Sequence, residues 1–320
     1  MLSFARRGYL RHKTLIWNKS CRSVRCMLSG SRFKREQFEM KTDVTIYSEG
    51  TRLSGNLLIP DDLKDGEKRP TILLCHGWGG PKEHLNNTYA PYFCEQGFIC
   101  MTFDYRGWFT SDARLVSEDR QGVPDKDGFL NVRVKPVRDV VDPFDQNLDI
   151  INCLDFLQNE ECVDTNRIGI WGSSFGCGHA IYVTASDARI KCLVAQVGGP
   201  FLGEEFSEFS MQRAAEKARG VYGALPPDVD GHESLVGKPD YAKMARYRPD
   251  IENINVPTLL IDQEDEELFD RSKQLPVLHA SLKDRVPTAY HTFPGKHYDV
   301  YEKNYAEGAR LAREWFLKYL

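Results

Sequence analysis

The sequence predicts an α/β protein built on a mostly parallel sheet with helices on both faces. Short apolar runs recur along the 320 residues: "TILLC" (71–75), "ICMTF" (99–103), "IGIW" (168–171), "CLVAQ" (192–196), "TLLI" (258–261) and "TAYHTF" (288–293). Most are separated by helix-length segments, as buried parallel strands must be. A glycine-rich stretch, "GSSFGCGH" (172–179), follows one of these runs directly and reads as a sharp strand-to-helix turn. With 41% hydrophobic residues, the chain can bury a sizeable core.

Residues 1–37 stand apart from the rest. Ten of the 42 Lys and Arg residues fall in positions 1–35, which contain no acid. That Arg- and Ser-rich segment, without a continuous apolar core, has the composition of a mitochondrial or plastid presequence and not of a secretory signal. A basic tail on a cytoplasmic protein is the alternative. The body, 38–320, carries 32 basic and 45 acidic residues, an imbalance that argues against nucleic acid as a partner. No apolar run reaches membrane-spanning length.

Within the body, alternation at 44–47 and 53–59 around Ser48-Glu49-Gly50 predicts an antiparallel hairpin. The parallel strands follow. One helix is marked by Asp142 as cap and Pro143 at its first position, with Phe144, Leu148, Ile151 and Leu154 on one face. A closing helix is expected to present Leu311, Trp315 and Tyr319. Two segments break the rhythm: 111–141, rich in turn residues and charges, and about 200–250, long enough for a short helical cap insertion. Nine cysteines are scattered without C-x-x-C pairs, which indicates neither a zinc nor a redox site and suits buried thiols in a reducing compartment.

Gly172, Gly176 and Gly178 do not fit the spacings of phosphate-binding loops, and no Lys or Arg is near. They do fit G-x-S-x-G around Ser174. A serine hydroxyl is a weak nucleophile until an imidazole takes its proton and a carboxylate orients that imidazole. Small residues two before and two after relieve the crowding of the sharp turn. Ser173 lacks glycines at those offsets and reads as a turn residue. An acid and then a histidine should follow, each just after a strand: "DQEDEEL" follows "PTLLI", and "PGKHYDVY" follows "TAYHTF". His297 is thus the base, while Asp262, Glu264, Asp265, Glu266 and Glu267 are all available as the acid. In "LLCHGWGGPKE", Trp78 is placed to supply one backbone N–H to an oxyanion, and Phe175, next after the serine, supplies the second. His76 reads as a loop-shaping residue, His179 as helix packing, and Cys177 as a small packing residue. Asp104-Tyr105-Arg106 reads as loop bracing. The acidic run lacks the oxygen-ligand pattern of a calcium loop.

The motifs "HGWGG", "FDYRGW", "DPFDQNLDI", "GIWGSSFGCGH", "DQEDEEL" and "GKHYDVY" together make residues 38–320 resemble the α/β-hydrolase superfamily. More narrowly, they resemble its dienelactone-hydrolase-like and X-Pro-peptidase-like branches. The resemblance implies the α/β-hydrolase fold and an acyl-transfer site acting on a small-molecule ester, thioester or amide, with no cofactor. Family spacing at the acid, laid on residues 262–266, implies Glu266, with Asp265 as the alternative. "GWFTSD" departs from the family, in which Gly-then-Ser is commoner after the aromatic. The expected activity is that of a serine hydrolase. The alternatives are an acyltransferase using the same three residues, as some fungal relatives do, and a catalytically silent binding protein on the same fold.

Overall fold

The structure is a computed structural model and describes residues 40–117, 119–199, 207–221 and 237–320. The basic segment 1–37 and two stretches of the expected cap, 200–206 and 222–236, lie outside the described residues.

The chain opens with β1 (Met40–Ser48) and β2 (Thr51–Ile59), the expected hairpin, whose turn places Glu49 and Gly50 at φ 48° and 82°. Next come β3 (Arg69–Cys75), the short helices α1 (Lys82–Asn86) and α2 (Tyr89–Cys94), and β4 (Ile99–Phe103). The charged segment that follows forms an antiparallel ribbon, β5 (Arg114–Ser117) with β6 (Val134–Val137), and ends in β7 (Val140–Val141). Then α3 (Pro143–Leu157), β8 (Val163–Ser174), α4 (Phe175–Ser186) and β9 (Ile190–Gly198) alternate as a parallel sheet requires. Of the cap region, α5 (Glu208–Ala218), β10 (Lys238–Pro239), which pairs with β7, and α6 (Tyr241–Met244) are described. The chain closes with β11 (Thr258–Gln263), α7 (Leu275–Leu282), β12 (Thr288–Phe293) and α8 (Tyr305–Tyr319).

Eight strands form one sheet in the order β1-β2-β4-β3-β8-β9-β11-β12. Only β2 runs against its neighbours, β1 and β4; the other pairs are parallel. Alternate side chains feed two cores, one on each face. Leu73, Ile170, Leu193 and Leu260 pack with α3, α4 and α7; Leu74, Trp171, Val194 and Leu259 pack with α2 and α8.

Two helices are rotated from their expected faces. Asp142 caps α3 as predicted, accepting from the N–H groups of Phe144 and Asp145. The buried residues of α3, however, are Pro143, Gln146, Asn147, Asp149, Ile150, Cys153, Leu154 and Leu157, while Phe144, Leu148 and Ile151 are half-buried. Burial of the polar members is possible because they find partners: the Arg106 backbone N–H and Nε donate to Asp149 at 2.9 and 2.8 Å. In α8, Ala309, Ala312 and Phe316 face the sheet, with Leu311, Trp315 and Tyr319 on the flank. Small alanines let the helix approach, and a Cβ on Gly169 would stand 2.8 Å from the Phe316 ring.

Candidate active site

The end of β8 makes an abrupt turn at Ser174, which adopts φ 56° and ψ −122° before α4 begins. A non-glycine residue rarely holds this conformation, so the surrounding packing must over-determine it. The flanking glycines show how. A Cβ on Gly172 would lie 2.2 Å from the Gly176 carbonyl oxygen, and one on Gly176 would lie 2.3 Å from that of Cys75. Strand and helix therefore cross at a distance that only glycine permits. A third constraint went unread in the sequence: a Cβ on Gly198 would lie 2.4 Å from the Ser174 carbonyl oxygen. The register slips there, so that Ser173 opposes Gln196 but Ser174 opposes Gly198, with Val197 bulged between them at φ 38°. The pair "GG" after "CLVAQV" was the available signal.

His297 begins a short 3-10 turn, His297–Tyr301, after β12. Its Nε2 lies 2.9 Å from Ser174 Oγ, and its Nδ1 lies 2.7 Å from Glu266 Oε2. The imidazole and the Glu266 side chain are 1% and 0% exposed. Aromatic rings cover the imidazole edge to face on two sides, Phe269 at 5.7 Å and Tyr298 at 5.1 Å between centroids. Glu266 is itself anchored, its Oε1 accepting the Leu268 N–H at 2.8 Å.

The other acids of the run are turned elsewhere. Asp262 accepts from Arg271 and Tyr290, and burial pushes its carboxyl above the usual range. Glu264 accepts from Thr292, while Asp265 is exposed. Glu267 has a role the sequence did not suggest: its Oε2 accepts the backbone N–H of His297 at 2.9 Å.

Gly77 lies against the serine, so close that a Cβ there would be 3.1 Å from Ser174 Cβ and 3.5 Å from its Oγ. Its carbonyl accepts from Gly80 N–H (3.1 Å) and from His76 Nδ1 (2.9 Å). A trans peptide points its C=O and N–H in opposite directions, so these two bonds also fix the direction of the Trp78 N–H. The Trp78 ring rests on that of Phe175, 4.6 Å between centroids. His76 is therefore a loop-shaping residue as read, and burial pushes its pKa down to about 4. His179 packs on Phe175 at 4.3 Å, with Nε2 3.0 Å from Gln146 Oε1 and Nδ1 2.7 Å from the Tyr247 hydroxyl; burial pushes its pKa to about 3.

Ser173 departs from its expected place in a turn. It is the penultimate residue of β8, 1% exposed, with its Oγ 2.6 Å from the Tyr301 hydroxyl and accepting from Gln196 Nε2 at 3.1 Å. Cys177 is buried, which raises its thiol pKa well above the ordinary value and suits packing. Asp104 braces the following loop, accepting from Lys82 and from Thr110 Oγ1 at 2.7 Å. In "GWFTSD", Thr110 and Ser111 both bond back to Asp104, with Gly107 and Phe109 at φ 79° and 40°. No cluster of His, Cys, Asp and Glu that could hold a metal ion occurs among the described residues, nor is any described helix long and apolar enough to cross a membrane.

Two family models match the chain: acetyl xylan esterase (AXE1) over 13–220, and the prolyl oligopeptidase family over 145–320. A 31.7 kDa protein from the traX-finO intergenic region of Escherichia coli is 27% identical over 307 residues, spanning 84% of this chain and 98% of that one. The quorum-quenching protein AidA of Acinetobacter baumannii (strain MDR-ZJ06) is 27% identical over 201 residues, 58% of each chain. Among solved structures, the alpha/beta hydrolase GrgF from Penicillium sp. sh18 superposes with a TM-score of 0.63 at 16% identity, covering 87% of this chain and 98% of GrgF, a likeness of fold.

Proposed function

Because this chain belongs to the α/β-hydrolase superfamily of serine hydrolases, we propose that it cleaves a small-molecule ester, thioester or amide through an acyl-enzyme on Ser174. The observation that carries this reading is the continuous pair of contacts from Ser174 Oγ to His297 Nε2 (2.9 Å) and from His297 Nδ1 to Glu266 Oε2 (2.7 Å).

The steps follow from the groups present. With Nδ1–H donated to Glu266, Nε2 carries the lone pair and takes the Ser174 proton as Oγ attacks the acyl carbon. The oxygen of the tetrahedral intermediate takes its charge between the N–H groups of Trp78 and Phe175. His297 Nε2–H then protonates the leaving group, whose bond to the acyl carbon breaks. Water enters, gives its proton to Nε2 and its oxygen to the acyl carbon, and Ser174 departs with the proton returned. Half-buried Trp78, next to the Gly77 that lies against the serine and packed on the buried rings of Phe175 and Trp108, makes that loop apolar and aromatic, which supports a neutral acyl group.

A fluorophosphonate probe should label the wild-type protein at Ser174 and leave Ser174→Ala unlabelled, and aryl ester turnover should follow the same pattern. Labelling at another residue, or turnover that survives Ser174→Ala, would overturn the assignment. Product analysis with and without an acceptor alcohol separates hydrolysis from acyl transfer.

A further inference from the structure

We propose that Tyr301 is a positioning residue, clasping the histidine-bearing turn to the nucleophile strand through its hydroxyl on Ser173. The inference rests on the reading of Ser174 and His297 given above. The turn His297–Tyr301 touches the end of β8 twice: His297 Nε2 meets Ser174 Oγ at 2.9 Å, and Tyr301 Oη meets Ser173 Oγ at 2.6 Å. Adjacent strand residues direct their side chains differently. Two contacts on adjacent residues therefore fix both the position and the rotation of the turn, where one would leave it free to pivot.

The first contact cannot hold the ring through turnover. Once the acyl group is on Ser174 Oγ, that oxygen has no proton to share with Nε2, yet the imidazole must stay in place to activate water. The second contact takes no part in the chemistry and persists. It is also built into the interior. Gln196, opposite Ser173 in the sheet, donates from Nε2 to Ser173 Oγ and to Tyr89 Oη, each at 3.1 Å. Ser173, Gln196 and Tyr89 are all within 1% of full burial, so water does not compete for these bonds, and a broken one leaves an unpaired polar atom. At the other end of the turn, Glu267 receives the His297 N–H at 2.9 Å. The turn is thus held at both ends by groups that do not react.

The test compares wild type, Tyr301→Phe, Ser173→Ala and the double variant by fluorophosphonate labelling rate, steady-state turnover and amide hydrogen exchange of the 296–304 peptide. Phe keeps the ring that packs on His84 and Tyr298 and removes only the hydroxyl. Each single change should lower the labelling rate and kcat about tenfold to a hundredfold, as a small misplacement of a reacting group does, with KM little altered and exchange of the turn increased. Both changes remove the Tyr301–Ser173 bond, and Ser173→Ala also takes the acceptor of Gln196 Nε2, so the double variant should match Ser173→Ala. Glu267→Gln, which keeps an acceptor for the His297 N–H, should retain more activity than Glu267→Ala. Wild-type labelling and exchange in Tyr301→Phe, or effects that multiply in the double variant, would overturn the clasp. Should Tyr301→Phe fail to fold, Ser173→Ala removes the same bond and carries the test. Wild type that does not label at Ser174 would instead sink the functional reading, while the exchange measurement still decides the clasp.

Discussion

The Glu266 carboxylate accepts from His297 Nδ1 and in doing so leaves Nε2 free to face Ser174. Glu266→Gln can turn an amide N–H toward Nδ1, which selects the other tautomer, with the proton on Nε2 and no lone pair for the serine. Turnover should fall by about 10³–10⁴-fold in a protein of unchanged fold, whereas Asp265→Asn, altering an exposed side chain, should stay near wild type; kinetics of the two purified variants check this, and the opposite ranking would reassign the acid. Ser174→Ala should cost several orders of magnitude, as loss of a nucleophile does, against the smaller loss expected for Ser173→Ala. Ser174 and His297 were legible because each follows a strand in the order the chemistry requires, whereas Glu266 was singled out among five acids only by the family's spacing. Glu267 and Tyr301 were not legible. Their partners are a backbone N–H and a serine in another element, contacts that leave no local pattern in the sequence.

The strand-to-helix turn depends on backbone proximity more than on side-chain contact. Gly172→Ala or Gly176→Ala would drive a methyl to within about 2.3 Å of a carbonyl oxygen, and the two partners belong to helix α4 and strand β3. Such a clash cannot relax cheaply, so each change should cost more than about 3 kcal/mol and be read as a large loss in denaturant midpoint or as failure to yield folded protein. Gly66→Ala is the contrast: unlike the elbow glycines it sits at positive φ, 76°, but in open space, and should cost only about 1–2 kcal/mol. The elbow glycines could be read from the sequence because their spacing is fixed by geometry. The faces of α3 and α8 could not be read correctly from hydropathy. In α3 the buried side includes Gln146 and Asp149, whose partners His179 and Arg106 lie in other elements; in α8 it uses alanine, where close approach outweighs side-chain size.

Two buried imidazoles on the α3–α4 side of the sheet couple the stability of the fold to pH. His76 and His179 are 2% and 0% exposed, and burial lowers their pKa from 6.5 to about 4 and about 3. Half-buried His84 is lowered in the same sense, also by burial. In the unfolded chain these groups take up protons near pH 6.5, while in the folded protein they stay neutral until far lower. The unfolded state then binds more protons, so the stability they contribute is complete above pH 6.5 and is lost as pH falls toward 4. Each fully buried histidine contributes a slope approaching about 1.4 kcal/mol per pH unit below pH 6. Burial raises the pKa of Asp149 and Asp262, which gives them the opposite sign, but they act from about their ordinary value upward as they ionise. Measurements between pH 7 and 5 weight the histidines most. Urea unfolding at pH 7, 6 and 5 should show a falling midpoint at constant m-value, and His179→Gln should show a shallower fall than wild type even if it begins less stable. A midpoint unchanged from pH 7 to pH 5 would mean that the folded protein accepts these protons as readily as the unfolded chain does.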